Sequence, residues 1–158
     1  MNQTQLIFTA SAGSLAMLIA AFGFQYLGGL MPCQMCLWQR WPHAIAVLIG
    51  SLAVVLAQPS LAWIGALSAA TTAGIGLYHA GVELRWWPGP ASCSGAGEAL
   101  SEMDGAALLS LEVADPLVMC DEVVWSFLGV SMAGWNAIIA LGLTCVWISA
   151  ARMSRAPG

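Results

Sequence analysis

The sequence predicts an all-α integral membrane protein: a bundle of four transmembrane helices forming one domain over residues 1–158, with two loops on the outer side. Three observations carry this. Of 158 residues, 59% are apolar and 8% charged, against about 25% charged in an ordinary soluble domain, and so few polar side chains cannot cover a globule of this size. Residues 1–39, 41–82 and 123–151 carry no charged side chain, and Arg40 alone separates the first two stretches. All eight acids, from Glu83 to Glu122, fall in one segment, and Arg152 and Arg155 close the chain in a short basic tail. The same composition excludes a soluble enzyme and a disordered chain. A net charge of −4 offers no general attraction for phosphate, so nucleic acid is not expected as a partner; the lipid bilayer is.

A bilayer core about 30 Å thick takes about 20 helical residues, because a helix satisfies its backbone groups without water. The first span covers about 6–30. It lacks a basic leading region and exceeds the usual apolar run of about 7–15 residues in a signal peptide, so it reads as retained. The block 41–82 is about two helices long, and Gln58-Pro59-Ser60 divides it where proline cannot donate to a continuing helix. This gives spans at about 41–57 and 61–82 and a tight turn at about 58–60. The fourth span, about 123–151, has length to spare for tilt.

Lysine and arginine near span ends mark the cytoplasmic side. Arg152 and Arg155 therefore place the C-terminus inside, and an even number of spans places the N-terminus and the 58–60 turn there too. The loops at about 31–40 and 83–122 face outward. Arg40 and Arg85 stand on that outer side against the bias, which invites a functional reason, with snorkelling as the plain alternative. In the third span Gly65, Ala69 and Ala73 form a row of small residues suited to close helix packing. Within the second loop, residues 98–113 set Ala99, Met103 and Ala106 near one face, as in a short amphipathic helix on the membrane surface.

Of five cysteines, Cys33, Cys36, Cys93 and Cys120 fall in the outward loops. Cys145 lies in the fourth span and reads as a buried thiol packing like a small apolar residue. Cys33-Gln34-Met35-Cys36 is a C-x-x-C motif, whose close spacing favours a small, readily exchanged ring. Such motifs hold one thiol at depressed pKa where a cation or helix N-terminus favours thiolate. Arg40 lies one turn beyond Cys36 if this stretch is helical. Pro42 fits the first turn of a helix starting near 39–41, but would kink one already running from Cys36. Cys93 and Cys120 lie within the acidic segment and enclose most of its acids. Their disulfide is either a staple worth about 3.5 kcal/mol on the chain-entropy account or an exchangeable bond, and spacing does not choose between them. A four-cysteine metal site fits less well, since only one pair is close, and no metal is expected. His43 and His79 lie near outer ends of spans. Each is either hydrogen-bonded to a neighbour or faces a cavity shared with Arg40.

Together, Cys33-x-x-Cys36 followed by Gln39-Arg40, Pro88-x-Pro90-x-x-Cys93, and Cys120 followed by Trp125-x-Phe127-Leu128-Gly129 resemble the disulfide bond formation protein B (DsbB) family. The resemblance spans about Leu6 to Ala150. It implies a bacterial inner-membrane oxidoreductase that moves two electrons from a periplasmic, thioredoxin-fold, DsbA-like dithiol carrier to the membrane quinone pool, ubiquinone or menaquinone. Cys33, Cys36, Cys93 and Cys120 would be catalytic, working as redox-active Cys33–Cys36 and Cys93–Cys120 disulfides. Cys93 would take the mixed disulfide with the carrier, and electrons would reach the first pair through a Cys33–Cys120 interloop disulfide. Cys36 would be the quinone-facing thiolate, Arg40 would hold that thiolate and a quinone carbonyl, and His79 would lie near the quinone pocket. One alternative is a vitamin K epoxide reductase-like protein, but there the quinone-facing C-x-x-C lies on a later helix, whereas here it follows the first span. Another is a non-catalytic membrane scaffold stapled by Cys93 and Cys120.

Overall fold

The first uncharged stretch forms a single helix, α1 (Gln3–Tyr26), begun by reciprocal capping: the Asn2 side chain accepts from the Gln5 amide at 2.8 Å and the Gln5 side chain accepts from the Asn2 amide at 2.9 Å. A computed structural model describes residues 1–90, 93 and 118–153 of the chain; the surface helix expected over 98–113 lies outside the described residues. After α1 come α2 (Gln34–Val55), a 3₁₀ turn (Pro59–Leu61), α3 (Ala62–Glu83), a hairpin of β1 (Ser126–Phe127) and β2 (Val130–Ser131), and α4 (Met132–Met153). By length and composition, α1, α3 with its preceding turn, and α4 are long and apolar enough to cross a membrane. The fourth long helix, α2, carries Gln39, Arg40, Pro42 and His43 in its first turns.

The first helix ends at Tyr26 rather than near 30, and two helix starts differ from the sequence expectation. The second helix starts at Gln34 rather than near 41, because the Cys33 sulfur takes the role of an N-cap oxygen and accepts from the Cys36 amide at 3.3 Å. Most of the expected loop 31–40 is therefore helix, and Pro42 sits inside α2. The fourth helix starts at Met132 rather than 123. Leu128 and Gly129 both adopt positive φ, 53° and 77°, the backbone of a two-residue hairpin turn, and the Ser131 hydroxyl then accepts from the Gly134 amide at 3.1 Å to begin α4.

Each helix packs on two neighbours, α1 and α3 both lying against α2 and α4. The row Gly65, Ala69 and Ala73 is buried, whereas Ala70 and Gly74 on the adjacent row are exposed. The small row makes room for Trp147 of α4, which is fully buried; a Cβ added at Gly65 would lie 2.7 Å from its ring. Ala10, Ala46, Ala53, Ala62, Ala66, Ala69, Ala150 and Ala151 complete this core. Cys145 is exposed on α4, correcting the expectation of a buried thiol. The inward face of α4 runs through Ala133, Ala137, Ala140, Trp147 and Ala151, and Cys145 falls outside it.

Candidate functional site

At the end of the bundle away from Trp147, Cys33, Met35, Val82, Cys93 and Cys120 form a second buried cluster with Cys36 and Val118 packed against it. Cys93 and Cys120 are joined as a disulfide with Cα atoms 5.4 Å apart, and the Cys120 amide donates to the Cys93 carbonyl at 3.0 Å. Cys33 and Cys36 are free thiols with sulfurs 3.1 Å apart. The sulfurs of Cys33, Cys93 and Cys120 all lie within 4.8 Å of one another. The α2 N-terminus thus delivers a thiol directly to the disulfide of the second loop.

His79 of α3 lies against the same thiol, with Nε2 3.5 Å from Cys33 Sγ. Its tautomer follows from Gln39, whose amide nitrogen donates both to the Met35 carbonyl at 3.2 Å and to His79 Nδ1 at 3.0 Å. Nδ1 therefore accepts, and the ring proton sits on Nε2, facing the sulfur. The backbone at Gln39 is held in turn by the Thr72 hydroxyl, which donates to the Gln39 backbone carbonyl at 2.9 Å. Glu83, one turn beyond His79, approaches Nε2 at 3.9 Å and accepts a short hydrogen bond from Ser131. The hydrogen bond from Cys36, opposed by burial and aided by His79, lowers the Cys33 thiol to about 4. The depressed thiol of this C-x-x-C is thus Cys33, which sits at the helix N-terminus where the backbone amides converge.

Arg40 of α2 reaches across to α1. Its Nη1 donates to Gln25 Oε1 at 2.6 Å and its Nη2 to the Ala21 carbonyl at 3.4 Å, and the guanidinium lies 4.9 Å above the Phe22 ring. All three partners are on α1. Arg40 also lines the same cavity as Cys36, with Nε buried and without a hydrogen-bond partner among the described residues.

That cavity, of about 370 Å³, opens between the helices beneath the cysteines and is lined by Met17, Phe24, Cys33, Cys36, Arg40, His43, His79, Glu83, Trp135 and Asn136 among others. A family description, "Disulfide bond formation protein DsbB", matches residues 3–150. The chain belongs to the DsbB family. Disulfide bond formation protein B of Shewanella sp. (strain MR-4) is 37% identical over 150 residues, covering 87% of this chain and 79% of that protein. The same-named protein of Xanthomonas oryzae pv. oryzae (strain MAFF 311018) is 33% identical, covering 97% and 91%, and that of Hahella chejuensis is 31% identical, covering 90% and 87%. No solved structure gives a significant match.

The site therefore joins a membrane disulfide-forming oxidoreductase of the DsbB family to a mostly apolar cavity with a few polar groups at one wall, the usual build of a small-molecule site. On two of the lining residues, Arg40 Nε and His43 Nδ1 are buried without a hydrogen-bond partner among the described residues. A planar ring with polar oxygens fits such walls. Two sets of soft donors also lie close together, Cys33 with Cys93 and Cys120, and Cys33 with Cys36 and His79; with Cys93 and Cys120 joined, the first set holds a single thiol. Gln39, Thr72, Glu83 and Asn136 were not singled out by the sequence for any role here. The available signal was a polar residue inside an apolar helix, which is costly unless it serves a partner or a pathway.

Proposed function

We propose that this DsbB-family protein re-oxidises a periplasmic DsbA-like dithiol carrier and passes the two electrons to a membrane quinone. The observation that supports it best is the position of the Cys33 sulfur, within exchange distance of Cys36 on one side and of the Cys93–Cys120 disulfide on the other. In this reading the bundle spans the inner membrane four times, α2 included, with both termini cytoplasmic and the cysteines on the periplasmic side.

A carrier thiolate attacks Cys93, breaking the Cys93–Cys120 bond and releasing Cys120 as thiolate. The second carrier thiol then displaces Cys93, leaving the carrier oxidised and both loop cysteines reduced. With Cys33 and Cys36 oxidised, the Cys120 thiolate attacks Cys33 and Cys36 leaves as thiolate, giving the Cys33–Cys120 interloop disulfide. Attack by Cys93 on Cys120 restores the loop disulfide and frees Cys33, so two electrons rest on Cys33 and Cys36. The His79 proton and the α2 N-terminus hold the Cys33 sulfur as a good leaving group in that last exchange. A quinone bound in the cavity supplies the two-electron sink. Cys36 and Arg40 would hold it from α2, His79 from α3, and the apolar walls keep water from the exchanging sulfurs.

The test is quinone reduction by the purified protein on addition of a reduced DsbA-like carrier, with Cys36→Ser alongside. Turnover in wild type and none in the variant is the expected result. Absence of turnover in folded wild type with its cysteines intact, across ubiquinone and menaquinone analogues, would sink the reading and favour a stapled scaffold.

A further inference from the structure

The cavity holds a histidine that the proposed exchange does not use. His43 is 3% exposed and lines the cavity on the helix that carries Cys36 and Arg40. At 1.5 Å per residue it stands about 10 Å further along α2 than Cys36, towards the middle of the bundle. Its Nε2 lies 3.0 Å from Asn136 Oδ1 of α4, and its Nδ1 is buried with no hydrogen-bond partner among the described residues. A lone buried ring nitrogen in an apolar bundle is costly unless something satisfies it.

The neighbouring hydrogen bonds fix what kind of partner that is. The Thr72 hydroxyl gives its proton to the Gln39 carbonyl, so its oxygen is left to accept. Asn136 Nδ2 approaches that oxygen at 3.3 Å and the Thr72 carbonyl at 3.4 Å, which places the amide nitrogen on the Thr72 side and Oδ1 toward His43. A carbonyl oxygen only accepts, so His43 Nε2 carries the proton and donates to it. Nδ1 of the neutral ring is then a lone pair: it can accept a hydrogen bond and cannot give one.

We infer that His43 is the acceptor that makes this cavity favour a bound hydroquinone, which carries hydroxyl donors, over the corresponding quinone, which carries only carbonyl acceptors. The inference rests on the proposed quinone chemistry and adds a ligand-state preference to it. Arg40, a donor without any acceptor capacity, suits a carbonyl, so α2 presents a donor and an acceptor one turn apart along the cavity wall. Favouring the hydroquinone draws electrons off the thiols, the direction the exchange needs. The same preference slows product departure, so the strength of this one bond balances capture against release.

The test is calorimetric titration of the full-length protein, in the Cys36→Ser background where the ligand is not consumed, with decylubiquinol under anaerobic conditions and with decylubiquinone. Replacing His43 by leucine is expected to weaken hydroquinone binding about tenfold, the worth of one buried hydrogen bond, and quinone binding by less than about threefold. Equal losses for both ring forms, or none for either, would overturn the inference while leaving the quinone reading in place. If the protein with His43 intact binds neither form, both fall together. Should the leucine variant not fold, His43→Phe serves instead, since it keeps a ring of similar shape and removes the Nδ1 acceptor. A reduced hydroquinone preference in that variant is expected, and an unchanged one would overturn the assignment.

Discussion

The two buried clusters lie at opposite ends of one bundle and are built on different principles. Around Trp147 the walls are nearly all alanine and glycine, with a single large ring filling the space that small residues leave. Around Cys33 the walls are sulfur, imidazole and amide, held by hydrogen bonds between α2 and α3, and they leave a cavity open beneath them. In lipid, helices gain little from apolar burial as such, so close van der Waals packing of small residues has to hold them together. Concentrating that packing at one end lets the other end keep polar groups and space. Stability and chemistry are thereby assigned to different ends of the molecule, and substitutions can separate them.

The largest effect expected is on chemistry. Cys33→Ser removes the sulfur that, in the proposed exchange, stands between Cys36 and the Cys93–Cys120 disulfide, and carrier-driven turnover should fall by at least about three orders of magnitude while the thermal midpoint moves little. A variant retaining turnover would show that electrons bypass Cys33. Trp147→Ala is the mirror experiment. It should cost about 3–5 kcal/mol of stability, read by unfolding in detergent, with the alkylation rate of Cys33 in the folded fraction unchanged. Loss of Cys33 reactivity along with stability would mean that the two ends are mechanically coupled.

A subtler contrast lies in pH. The anionic Cys33 is favoured in the folded, reduced protein at about 4, well below the ordinary thiol value of about 8.5. The folded form therefore binds fewer protons between those values, so its stability rises with pH across that window and is lost on acidification through about 4. Alkylation of Cys33 should be nearly flat with pH above that value. His79→Ala removes one of the three hydrogen bonds to the sulfur and should move the midpoint of the alkylation profile upward; an unmoved midpoint would show that Cys36 and the helix terminus suffice. The smallest effect belongs to Cys145, exposed on α4. Cys145→Ala should change stability by less than about 0.5 kcal/mol and leave turnover intact.

Much of this arrangement was legible in the sequence because charge and small-residue patterns report burial directly. The uncharged stretches gave the long helices, Pro59 marked the break between α2 and α3, and the Gly65, Ala69, Ala73 row anticipated where α3 meets α4. Helix starts were harder. A cysteine sulfur acting as an N-cap has no place in the usual set of capping oxygens, so α2 began earlier than its polar residues suggested. The Leu128-Gly129 turn is hidden in an apolar run, and only backbone conformation shows that residues 126–131 form a hairpin. The cysteines and His79 of the candidate site could be named from motif and position, but Gln39, Thr72 and Asn136 act by orienting other groups across three helices. Such roles depend on which atom faces which, and sequence spacing does not carry that information. Arg40 illustrates the same limit: its place on α2 agrees with the motif, yet its Nη atoms are held by α1.

The double role of Cys33 has one more consequence. The sulfur that exchanges electrons in the proposed cycle also accepts the Cys36 amide, one of the unpaired N–H groups at the start of α2. As a thiolate it places a full negative charge at the positive end of the helix dipole; in a disulfide that charge is gone and only a weak acceptor remains. In the proposed cycle the first turn of α2 tightens and loosens as that charge comes and goes, so amide hydrogen exchange at Cys36 serves as a built-in gauge of oxidation state that can be followed without any spectroscopic change at the sulfurs themselves.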